Sequence, residues 1–148
     1  MLNIIVFILI LIVDQVSKGI IFSNFYLGQS VPVIPNIFHL TLVYNTGIAF
    51  GLFKNQTLLF SAVSFFVIAL IILSILDQRK RKDVSHLEIF ALYLILSGAI
   101  GNLVDRFRLG FVVDFLDFRV WPVFNVADSA ITIGVILILI RCIRSFYK

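Results

Sequence analysis

Long apolar runs alternate along this chain with shorter polar or patterned stretches, and the runs predict four membrane-spanning helices. Residues 2 to 22 form the first; at about 1.5 Å per residue it reaches roughly 30 Å, enough to cross the hydrocarbon of a bilayer. It has no Lys or Arg before its apolar run and no small-x-small cleavage site. It continues past Asp14 to Ile20, Ile21 and Phe22, so it reads as a retained helix rather than a cleaved leader. Residues 57 to 76 carry no charge and make the clearest span. The third, over 88 to 105, runs from Ile89 to Val104 between Glu88 and Asp105. The fourth, over 124 to 141, has Asp128 near its start and Arg141 at its end. Between residues 28 and 53 the period changes: Phe38, Leu40, Leu42 and Tyr44 alternate with His39, Thr41 and Val43, after Pro32 and Pro35 and before Asn45-Thr46-Gly47. That is a strand signal, and because an exposed sheet edge is not tolerated against lipid, it predicts a small sheet or hairpin outside the bilayer.

Composition agrees with the pattern. The 148 residues are 61% hydrophobic and 14% charged, with 16 Phe, and the mean hydropathy is +1.10. A soluble domain would be about half apolar and a quarter charged. The expected fold class is therefore an all-α integral membrane protein with four transmembrane helices and a small extracytoplasmic β-sheet. It forms one domain over residues 1 to 148, without repeat or linker. Orientation follows from Lys and Arg. Arg79, Lys80, Arg81 and Lys82 in one loop and Arg141, Arg144 and Lys148 at the C-terminus fall on one side of a four-span chain, which should be cytoplasmic. Lys18, Lys54, Arg106, Arg108 and Arg119 fall on the other. The net charge of +4 is thus matched to anionic headgroups, not to nucleic acid. Cys142 has no partner for a disulfide and no metal-like spacing, so it reads as an inert thiol. His39 and His86 lie on opposite sides of the membrane in this topology, and no zincin spacing, nucleophile elbow or phosphate loop is present. No metal or cofactor is expected.

Carboxylates in so apolar a chain need a reason. Asp105, Asp114, Asp117 and Asp128, half of the eight acidic residues, crowd into residues 98 to 128. Gly98, Gly101, Asn102, Asp105 and Arg106 share a face at the outer end of the third helix, where small residues permit close packing. Arg106 could pair with Asp105 or anchor in headgroups. Leu109 to Val123, with Phe111, Phe115, Phe118 and Trp121, has the aromatic content of a segment lying along an interface. Asp114 is enclosed by Val112, Val113, Phe115 and Leu116. Asp128 has two readings: a carboxylate in the first turn of a helix capped by Asn125, or one half of an acid pair with Asp114. Two carboxylates held close share a proton, one serving as base on water and the other as acid on a carbonyl oxygen. Asp14 and Lys18, one turn apart near the far interface, are either a self-neutralising pair or part of the site. Asn45 is either a turn former or a site residue.

Three functions compete on these residues. A membrane protease would use Asp114 and Asp128. An ion relay would run through Asp14, Asp114 and Asp128 and needs polar groups across the bilayer; the second helix offers only Thr57, Ser61, Ser64 and Ser74. A purely structural subunit leaves four outward aspartates without purpose.

Five stretches in order, VDQVSK at 13 to 18, VYNTGIAFG at 43 to 51, GNLVDR at 101 to 106, GFVVDFLDF at 110 to 118 and FNVADSAITIG at 124 to 134, resemble the lipoprotein signal peptidase (signal peptidase II) family of bacteria. The resemblance spans nearly the whole chain; Ser97 departs from a glycine often found before Gly98, and the loop from Phe118 to Phe124 is short. The resemblance implies a four-helix aspartyl endopeptidase of the bacterial cytoplasmic (inner) membrane. Both termini would be cytoplasmic, with a sheet cradle, a mobile loop and the active site near the outer face. The substrates implied are diacylglyceryl-modified prolipoproteins, cleaved just before the lipid-modified cysteine. Asp114 and Asp128 would be the catalytic dyad, and Asp14, Asn45, Asn102, Asp105, Arg106 and Asn125 would order the dyad, the loop and the substrate backbone. It also implies inhibition by the cyclic peptide globomycin. Membrane lipids are the other expected partners, and a unit with all its site residues in one chain is expected to be monomeric.

Overall fold

The computed structural model describes residues 1–47, 57–78 and 85–146. Its elements in chain order are α1 (Leu2–Asn24), β1 (Ser30–Ile34), β2 (Phe38–Asn45), α2 (Thr57–Gln78), α3 (His86–Leu109), β3 (Val112–Asp117) and α4 (Val126–Phe146). All four helices are long and apolar enough to span a bilayer. Gly51, Lys54 and the basic cluster Arg79, Lys80, Arg81 and Lys82 lie outside the described residues.

The third helix is the hub, packing against each of the other three. Its most apolar window is 56% buried, against 17% for each of the others, whose outer faces carry exposed Ile, Leu, Val and Phe suited to lipid. Both ends of α3 are written in local chemistry. Ser85 accepts a hydrogen bond from the Glu88 N–H, and Gly110 closes the helix at φ 82 with its N–H on the Arg106 carbonyl. Only glycine takes that left-handed turn without strain. One apolar core joins α2 to α3 through Ile68, Ile71, Ile75, Leu92, Leu96 and Leu103. Towards the α4 side, Gly98 and Gly134 allow backbone approach that a methyl group would block.

The three strands form an antiparallel sheet in the order β1-β2-β3. It sits on the C-terminal end of α1 through a second core of Ile21, Leu42, Val113 and Phe115. β1 and β2 fall inside the stretch expected to hold strands. β3 corrects the reading of Leu109 to Val123 as an interfacial segment: Val112–Asp117 pairs with β2, and Phe111 stacks on Tyr44 with ring centroids 4.0 Å apart. Phe118 and Trp121, beyond the strand, are exposed as an interfacial reading requires.

Candidate active site

The site is built where α1, α3, β3 and the start of α4 meet. Asp14 and Lys18 stand one turn apart on α1 and are both buried. The Lys18 ammonium lies 2.9 Å from Asp14 Oδ2, 2.9 Å from Asp105 Oδ2 and 2.9 Å from Asn102 Oδ1. Buried charges persist when paired and hydrogen-bonded, and here one cation serves two carboxylates. Gln15 adds its amide to Asp14, Asp105 and the Gly101 carbonyl. Gly101 is required where it stands: a Cβ there would lie 2.6 Å from Asp14 Oδ2.

Each carboxylate of this inner layer also holds backbone. Asp105 Oδ2 accepts the Val113 N–H at 3.2 Å, fixing the start of β3. Asp14 Oδ1 accepts the Ala127 N–H at 2.9 Å, satisfying a free donor in the first turn of α4. Asp14 therefore stands midway along α1, level with the start of α4. It is a structural counter-ion and a member of the site at once.

Asp128 sits in the first turn of α4, as the capping reading expects. Asn125 Oδ1 accepts the Asp128 N–H at 2.9 Å, and Asp128 Oδ2 accepts the Asn125 N–H at 3.3 Å, a reciprocal cap of the helix start. Its other oxygen accepts from Asn102 Nδ2 at 2.7 Å. Asp114 is buried and receives Asn125 Nδ2 on Oδ1 at 2.7 Å and Asn45 Nδ2 on Oδ2 at 2.9 Å. Asn125, fully buried, thus touches both carboxylates. Asn45 turns as well as binds, since its Oδ1 accepts the Gly47 N–H.

Asp114 and Asp128 line one cavity of about 730 Å³, with Asn45, Asn102 and Arg106 among its polar walls and Phe60, Phe118, Trp121, Phe124 and Ile131 among its apolar ones. Burial first, then the charge of Asp128, outweigh the amide hydrogen bonds on Asp114 and push its carboxyl up to about 7. Arg106 does not pair with Asp105, which is taken by Lys18; its guanidinium lines the cavity and reaches Ser64 Oγ on α2 at 3.4 Å. Among the described residues no group of three or more His, Cys, Asp and Glu is placed to hold a metal ion.

All eight expected site residues therefore converge. Lys18, read from sequence either as the self-neutralising partner of Asp14 or as part of the site, joins them, and so does Gln15, which was not expected. β3 offers no free edge for an incoming peptide, because Val113 and Phe115 spend outward-facing groups on Asp105, Asn125 and Phe124.

Fold and site define a multi-pass membrane protein with two acids facing one cavity at one end of its helices. The profile described as signal peptidase (SPase) II matches residues 6–144. The lipoprotein signal peptidase of Moorella thermoacetica is 51% identical over 130 residues, covering 88% of this chain and 85% of that protein. That of Halothermothrix orenii is 39% identical over 136 residues, covering 92% and 91%. A bacterial membrane enzyme solved by the in meso method at 2.3 Å superposes with a TM-score of 0.90 at 32% identity, covering 97% of this chain and 88% of that one. The chain belongs to the signal peptidase II family, and it is an aspartic-type membrane peptidase.

Proposed function

We propose that Asp114 and Asp128 are the catalytic dyad of an endopeptidase that removes signal peptides from diacylglyceryl-modified prolipoproteins, cutting just before the lipid-bearing cysteine. The observation that carries this reading is that one buried residue, Asn125, reaches both carboxyl groups on one cavity wall, Asp114 through its side-chain amide and Asp128 through its backbone N–H. One ionised carboxylate takes a proton from water as the water oxygen attacks the scissile carbonyl carbon. The protonated partner gives its proton to the carbonyl oxygen, and collapse of the tetrahedral adduct passes a proton to the leaving amide nitrogen. Asp114, half-protonated near neutral pH, supports a pair that holds one proton there. Arg106 and Asn45 supply donors to substrate carbonyls, and Asp14, Asn102, Asp105 and Asn125 hold the frame. The apolar part of the cavity, between Phe60 on α2 and Ile131 and Ile133 on α4, takes the acyl chains of the substrate.

The whole chain is read as one peptidase unit in a bacterial cytoplasmic membrane, acting as a monomer among lipids. Both termini are cytoplasmic and the site lies near the outer face, an orientation supported by Arg141 and Arg144 at the end of α4 opposite the site. An ion relay is disfavoured by α2: Ser61 and Ser74 turn their hydroxyls back to carbonyls of their own helix, at 2.8 Å each.

The test is cleavage of a diacylglyceryl-modified prolipoprotein by purified protein with chelator present. Wild type cleaves, while Asp114→Asn and Asp128→Asn insert and fold but do not. Activity at the wild-type level in either variant would sink the dyad.

A further inference from the structure

Asp117 is buried, yet it is not part of the network around Asp114 and Asp128. It ends β3, where the chain turns back through residues 118 to 123 and rejoins the strand as a bridge between Leu116 and Phe124. That turn supplies Phe118, Trp121, Pro122 and Val123 to the cavity wall. Asp117 Oδ1 accepts the Arg119 N–H at 2.9 Å, and Oδ2 accepts Arg119 Nη1 at 3.0 Å and Thr41 Oγ1 at 2.7 Å. Thr41 is in turn 2.8 Å from Ser30 Oγ, so the carboxylate is anchored through β2 to β1. Arg119 has φ 66, the left-handed conformation, which an arginine adopts only when its surroundings impose it.

We propose that Asp117 is a positioning residue for substrate binding: by holding Arg119 in the left-handed conformation it fixes the turn over 118 to 123 and with it the aromatic wall against which the lipid-modified substrate packs. The Arg119 side chain is about half exposed, so its ion pair contributes little, and the bond to the Arg119 backbone N–H is the main restraint. Burial opposes ionisation of Asp117, but the hydrogen bonds from Thr41 and Arg119 outweigh it and hold the carboxyl below the usual carboxylate range. The clamp therefore stays set across the working pH range.

The inference rests on the peptidase reading, and its test uses KM among active variants. No cleavage by wild type would count against the peptidase reading alone. At position 119 the backbone requirement is tested without touching the interior. Arg119→Gly, which takes φ 66 freely, keeps KM within about twofold of wild type, whereas Arg119→Val, β-branched and disfavoured there, raises KM about tenfold. In both, kcat and its pH profile stay as in wild type. Asp117→Ala raises KM to a similar extent, and adding Arg119→Gly to it restores KM to within about threefold. Equal KM values for Arg119→Gly and Arg119→Val overturn the proposal, as does failure of glycine to rescue Asp117→Ala.

Discussion

A single methyl group added to α3 tests how the helix packing sets the site. A Cβ at Gly98 would overlap the carbonyl oxygen of Ala127 and lie 2.7 Å from Ile131 Cγ1. Carbon atoms rest at about 3.5 to 4.0 Å, so α4 must retreat by roughly 1 Å. Ala127 is the residue before Asp128, and Asn102, one turn further along α3, holds Asp128 at 2.7 Å. The retreat stretches that bond to about 3.7 Å, past the useful range. A hydrogen bond to a charged group is worth about 1.5 to 3 kcal/mol. At about 1.36 kcal/mol per tenfold, Gly98→Ala should lower kcat/KM by roughly 10- to 150-fold. Its stability changes less, because overpacking of about 1 to 3 kcal/mol is offset by about 1 kcal/mol of helix propensity. Gly134→Ala is the control: its Cβ would meet Ile95 Cγ1 at 2.6 Å and the Ala91 carbonyl at 2.8 Å, a comparable clash farther down the same pair of helices. Its activity per folded molecule should stay within about threefold. The assay is prolipoprotein cleavage, normalised to folded protein by thermal unfolding in detergent. Wild-type kcat/KM in Gly98→Ala, or an equal loss in Gly134→Ala, would refute the link from helix spacing to the Asn102–Asp128 bond.

Lys18→Met leaves Asp14 and Asp105 buried without their shared cation and should cost about 3 to 5 kcal/mol. Lys18→Met/Asp105→Asn, with one orphan charge removed, should recover part of that in thermal unfolding; an unchanged melting temperature in Lys18→Met would contradict the assignment. Asp114 carries a raised carboxyl, so the folded chain holds its proton where the unfolded chain has lost it, and stability falls as pH rises. From pH about 4 to about 7 this group alone should remove about 4 kcal/mol. Asp114→Asn should therefore gain on wild type over that window and hold the gain above it; a stability difference independent of pH would show that Asp114 ionises normally.

The helices were legible because an apolar run of twenty or so residues has few other fates, and α3 displayed its ends in Ser85, Glu88 and Gly110. β2 was legible by alternation. β3 was not: Val112, Val113 and Phe115 are all buried, one face against the cavity side and the other against α1, so no alternation marks the strand. For the site, Asp114 and Asp128 stood out as acids in apolar company. The wiring between them did not. Lys18 shows in sequence as an i, i+4 partner of Asp14, while Asn102, on which it also acts, lies 84 residues away. The pairing of Arg106 with Asp105 failed for the same reason: Asp105 is claimed by a cation from another helix.

The wiring has a direction, and Lys18 is one of the two groups that set it. An ammonium can only donate, so Asn102 must turn its oxygen to Lys18 and its N–H groups to Asp128. The backbone N–H of Asp128 likewise forces the Asn125 oxygen towards the helix start, leaving the Asn125 amide N–H groups for Asp114 and for the oxygen of Asn102. Every acceptor of these two amides is consumed inside the scaffold, and a donor reaches each of the four oxygens of Asp114 and Asp128. Donors favour ionised carboxylates, while burial and the proximity of two like charges favour a proton. On Asp114 these opposing effects balance close to neutral pH. The proposed dyad, which would supply one base and one acid at that pH, needs such a balance, which neither amides alone nor burial alone would provide. Lys18, paired behind the site with Asp14 and Asp105, adds its positive charge to the donors that favour the ionised form of Asp114.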